Sequence, residues 1–167
     1  MVTLTQSEIR ANVSSNIITY KKRREQLRIT GTLTQEHRKQ LQQKINNWNR
    51  KIKRMDERKN KIIALGNAVA YFTGINVKGI GVESQRNYRI YNATALFAKY
   101  GLEHDIGGLY LSQYMGKHED AAGRTRLAFT RDFEKYPERK ELYHRFCQYM
   151  ERLEQESIEN NDVNKYL

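Results

Sequence analysis

The sequence predicts an all-α fold: a basic antiparallel helical hairpin at the N-terminus, then a helix-turn-helix domain, then a long C-terminal helix. Three observations predict it. A single proline in 167 residues leaves few helix breakers. Gln, Lys, Arg and Glu are abundant, and all four are good helix formers. Apolar residues recur at three- and four-residue steps in several windows, which is the period of one helix face. No run approaches the roughly eighteen apolar residues of a spanning helix, so no membrane segment is expected. The polar start "MVTLTQSEIR" does not fit a secretory signal. The only cysteine, Cys147, excludes an internal disulfide, and with four scattered histidines it forms no zinc pattern. Neither a metal nor a cofactor is expected.

In the first helix Ile9, Val13, Ile17, Tyr20 and Leu27 follow helical steps with one gap. "TGTLT" then supplies a breaker, Gly31, and capping threonines. Thr32 with Gln35 fits a capping box, and Thr34 is an alternative cap. In the second helix Leu41, Ile45, Trp48, Ile52 and Met55 form a heptad seam with Lys and Arg on most other positions. The turn between the helices is short, so they should pack antiparallel. One narrow seam buries little area, so this hairpin must lean on the rest of the chain or on another subunit. Residues 1–61 are assigned to it.

After Lys61 the composition becomes apolar and glycine-bearing, "IIALGNAVAYFTGINVKGIG", with Val69, Ala70 and Phe72 as core. A domain is placed at 62–157, with the second helix running into it to about Ala64. The next helix carries Ile90, Ala93, Phe97 and Tyr100 on one face. A shorter helix, "IGGLYLSQYMG", leads through a charged turn into "KHEDAAGRTRLAFTRDFEKY". Pro137 opens the last helix at a favoured first-turn position. Leu142, Phe146, Met150 and Leu153 form its buried stripe, and the acidic end, 158–167, is expected to fray. His144 and Cys147 flank Phe146 and are read as packing residues. No nucleophile–base pair stands out, so an enzyme is not predicted.

The formal charge of +11 is informative for where it lies. Residues 1–64 hold 16 Lys+Arg against 5 Asp+Glu, while residues 65–167 hold 14 of each. Such asymmetry points to a polyanionic partner, most often nucleic acid. A merely solvated basic helix surface is the plain alternative.

The stretch "LSQYMGKHEDAAGRTRLAF" (111–129) has the layout of a helix-turn-helix. On a helical projection Ala121, Ala122, Ala128, Phe129 and Phe133 share one apolar arc. The opposite side carries Gly123, Arg124, Arg126, Thr130 and Arg131, with Leu127 among them. A glycine inside a helix costs about 1 kcal/mol and needs a reason. Tight packing within the chain is one reason; close approach of a DNA backbone is the other. Glu119 and Asp120 read either as dipole-favouring first-turn acids or as acceptors for cytosine amino groups. Lys117 and His118 in the turn are placed to meet phosphate. Upstream, Arg86, Asn87 and Arg89 fall at a helix N-terminus, where two arginines oppose the dipole and favour an anion-contacting role.

Taken together, residues 62–150 resemble the C-terminal DNA-binding domain of the bacterial replication initiator DnaA. The resemblance rests on segments in order: Val69–Phe72, Ile75–Ile80, Ser84–Arg89, Ala93–Tyr100 and Leu111–Gly116. It implies duplex-DNA binding, with Arg86, Arg89, Lys117, His118, Arg124 and Arg126 as the matching or neighbouring residues. Where the family has a His-Thr-Thr trio, this chain has Asp120, Ala121 and Ala122, so no target sequence is implied. No "GxxxxGK[ST]" phosphate loop occurs, and the initiator's nucleotide-driven motor is absent with it. The expectation is therefore a DNA-binding regulator or a mobile-element or phage accessory factor, cytoplasmic, at a nucleoid or with a phage. A structural or packaging protein with non-specific nucleic-acid binding is the other reading. The Trp48 seam leaves open an oligomer or protein partner, and charge alone does not separate DNA from RNA.

Overall fold

A computed structural model describes residues 6–31, 34–81 and 87–163. Among the described residues there are six helices and no strand: α1 (Gln6–Ile29), α2 (Gln35–Thr73), α3 (Tyr88–Glu103), α4 (Gly108–Tyr114), α5 (Ala121–Arg131) and α6 (Pro137–Val163). The class is all-α, as the composition indicates. No described helix is long and apolar enough to cross a membrane.

The chain divides into two compact units, Met1–Asn60 and Lys61–Leu167. α2 contributes to both. It does not end near Ala64, as the sequence suggested, but runs on to Thr73. No proline interrupts it, and the one glycine in its path, Gly66, has a packing role: a Cβ there would overlap the Tyr114 ring. That contact offsets the helix cost of the glycine.

In the first unit Val13, Ile17 and Ile45 form a buried cluster, with Tyr20, Trp48 and Ile52 packed against it. Arg10 pairs with Asp56 at 2.7 Å, and Arg24 donates to Gln42 at 2.8 Å. Partner numbers fall on α2 as they rise on α1, so the two helices run in opposite directions here. Thr34 is the N-cap of α2, its Oγ1 accepting from the His37 N–H at 3.1 Å. Thr32, the capping-box candidate, lies outside the described residues, as does the Ile9 side chain.

In the second unit α3 is buried without interruption from Asn92 to Gly101, not along one stripe. The reason is encirclement: α4, α5 and α6 all pack on it. Small residues let them close in. A Cβ on Gly101 would lie 2.7 Å from Leu111 Cδ2 and 3.2 Å from Leu65 Cδ2. Burying Lys99 requires a partner. Its Nζ donates to Glu103 Oε1 at 2.6 Å, and it lies 4.6 Å from the centre of the Tyr143 ring. The Tyr143 hydroxyl donates to the same carboxylate. Burial pushes the Glu103 carboxyl up, but the Lys99 and Tyr143 hydrogen bonds, with Arg126 nearby, bring it below its ordinary value.

α6 opens at Pro137, and its buried positions are Tyr143 and Phe146. Leu142, Met150 and Leu153 are only half-buried, so the predicted stripe is shallower than expected and centred one residue differently. His144 is exposed and does not pack, whereas Cys147 is half-buried against the core. The helix runs on through residues 158–163, with no glycine or proline to stop it. Residues 164–167 lie outside the described part.

Candidate nucleic-acid interface

The link from α4 to α5 is built by main-chain capping and one side chain. Gly116 takes a left-handed φ of 68°. Lys117 N–H returns to Ser112 O at 2.9 Å and Gly116 N–H to Gln113 O at 3.1 Å, the paired bonds of a Schellman stop. Ser112, fully buried, then spans the turn. Its Oγ donates to Glu119 O and accepts from Ala122 N–H, both at 2.9 Å. It thereby satisfies a first-turn N–H that has no partner within the helix. From the segment before α3, Gly79 and Gly81 N–H donate to the Tyr114 and Met115 carbonyls at 2.9 Å. Ser112→Ala leaves the buried Ala122 N–H without its acceptor. A loss of about 1–3 kcal/mol in urea unfolding is expected; an unchanged midpoint would show that the hydroxyl does not hold this turn.

Ala122 and Phe129 are the buried residues of α5. Phe129 meets Tyr91 and Phe133 edge-on, at 6.3 and 5.2 Å between ring centres. The opposite side turns outward: Arg124, Leu127, Thr130 and Arg131 are exposed. Leu127 is 62% exposed. Among the described residues, and apart from its own helix turn, no heavy atom lies within 4 Å of where a Cβ on Gly123 would sit, so packing of the described residues does not account for this glycine.

Arg124 and Arg126 are not neighbours on this face. They occupy its two edges, two residues and about 200° apart at 100° per residue. Arg126 is half-buried on the Glu103 side. Arg124 shares with Lys117 a cleft floored by Tyr91, Thr94 and Ala128. Lys117 is half-buried, and that burial lowers its pKa. His118 is exposed, its Nδ1 4.0 Å from the Asp120 carboxylate. Glu119 and Asp120 are exposed and precede the helix; Asp120 makes no side-chain capping bond. Asn87 is the N-cap of α3, its Oδ1 accepting from Arg89 and Ile90 N–H at 2.9 and 3.4 Å. This fixes the oxygen in a structural role. Arg89 is exposed in the first turn of α3, and Arg86 lies outside the described residues.

The first unit holds a second cationic surface that sequence patterning did not locate. An open groove of about 750 Å³ between α1 and α2 is lined by Arg24, Arg28, Arg38, Lys39 and Arg50. Four carboxamides, Gln42, Gln43, Asn46 and Asn47, share its wall, with Glu25 the only carboxylate. Glu25 is held by Arg28 at 2.7 Å, and Arg24 by Gln42. Only the run "LQQKINN" hinted at it, as amides at one- and four-residue steps.

Fold and surfaces together define an all-helical protein with two cationic, helix-borne faces. No protein-family model, curated protein or solved structure matches the chain.

Proposed function

We propose that the protein binds double-stranded DNA, with α4 and α5 acting as a DnaA-like helix-turn-helix and the basic helices of the first unit contacting phosphates. The observation that carries this reading is the outward face of α5. It presents Arg124, Thr130 and Arg131 around a bare glycine, on a helix whose other side is locked into the core. A helix held rigidly from behind, with donors in front, is what base-edge reading requires. The division of labour follows from charge. The first 64 residues supply all the net positive charge and hence the salt-sensitive attraction, while the near-neutral second unit supplies discrimination. The role we propose for such a reader is that of a regulator or an accessory factor of a mobile element or phage.

The test is selection from a randomised duplex pool at two salt concentrations. An enriched motif is expected, lost with Arg124→Ala and kept with Lys53→Ala, whose side chain is exposed and paired with Glu57. Binding without enrichment, falling steeply with salt, would instead make this a packaging protein. No binding at either salt would overturn the nucleic-acid reading.

A further inference from the structure

Leu127 is unexplained by the fold. A single exposed leucine is ordinary on a protein surface, but this one sits among Arg124, Thr130 and Arg131, all of them exposed, and is itself 62% exposed. One turn before it on the same stripe is Gly123, with open space where a side chain would be. A bare backbone followed by an aliphatic side chain, flanked by guanidinium groups, is a particular chemical pattern. The cations select a polyanion, the missing side chain permits close approach, and the leucine needs an apolar patch on that polyanion. In duplex DNA the major groove offers one such group, the C5-methyl of thymine. At the first two positions of α5 polar side-chain reading is not available: Ala121 and Ala122 carry no side-chain donor or acceptor, and Ala122 is buried.

We infer that Leu127 is a specificity-determining residue which recognises a thymine methyl group, with Gly123 providing the clearance for that base pair. This rests on the duplex-binding reading above. It moves the centre of base reading one turn along α5, to the middle of the exposed face, and leaves Arg124 and Arg131 to flank it. It also separates DNA from RNA at that position, because uracil lacks the methyl.

The experiment uses the full chain and the motif selected from the duplex pool. Each thymine of the site is replaced in turn by deoxyuridine, and binding is measured for the wild type and for Leu127→Ala. One position is expected at which loss of the methyl weakens wild-type binding about fourfold, the effect of exposing one buried methyl-sized group. At that position Leu127→Ala should bind the thymine and deoxyuridine sites equally. Gly123→Val should weaken binding to the whole site while the chain stays folded. If every deoxyuridine site binds as well as thymine, or if the penalty persists in Leu127→Ala, this inference fails and duplex binding stands. If no duplex is bound at all, both fail together.

Discussion

Phe129→Ala is expected to lower the free energy of unfolding by about 3–5 kcal/mol, the usual cost of truncating a fully buried phenylalanine. The ring is 0% exposed and is one of only two buried anchors of α5. Its neighbours Tyr91 and Phe133 are themselves half-buried aromatics, too large and too tethered to collapse into the space. The cavity should therefore persist, and α5 should lose its fixed seat on α3. Urea unfolding of the full chain measures this, with Leu127→Ala as the control. That outer residue contacts no core, so its truncation should stay within about 0.5 kcal/mol. A Phe129→Ala variant as stable as the control would mean that α5 is not held rigidly from behind.

Replacing Arg38, Lys39 and Arg50 together by glutamine is expected to reduce the slope of log binding constant against log salt by about 2.7. On duplex DNA each phosphate that a cation neutralises adds roughly 0.9 to that slope, and three such cations are removed. The three line one groove, while Lys21, Lys22 and Arg23 lie on the exposed part of α1 outside it. Glutamine at those three positions removes the same charge and serves as the comparison. If the groove seats a phosphate backbone, only the first triple should show the full change in slope. Equal changes would mean a diffuse basic surface with no seat, and no change in either would remove the first unit from DNA binding.

What could be read in the sequence was local chemistry. Thr34 as one of two candidate caps, Gly31 as a breaker and Pro137 as a helix start depend on a few adjacent residues, and the structure has Thr34 capping, Gly31 at a left-handed φ and a helix opening at Pro137. What could not be read depends on distant partners. Lys99 and Glu103 are spaced like any solvent-facing ion pair, so nothing local reveals that α4, α5 and α6 bury one side chain of that pair. Gly66 resembles a helix stop until Tyr114, far along the chain, occupies the space above it. Ser112 gives no sign that its hydroxyl reaches across a turn to Ala122. On the projected wheel Arg124 and Arg126 shared one front; burial separates them, because the edge of a face depends on what packs beside it. The groove of the first unit escaped for a related reason, since its wall comes from two helices and pattern reading follows one at a time.

The uninterrupted burial of α3 has a consequence for how such a protein can change over generations. Its ten consecutive enclosed positions offer no side on which substitutions accumulate freely. Each change there must be matched by a neighbour on α4, α5 or α6. The outer residues of α5 are under no such obligation, because no core contact depends on them. The framework and the exposed face of α5 thus lie on different parts of the chain, so that under the proposed function a lineage could exchange one recognition site for another while its framework stood still.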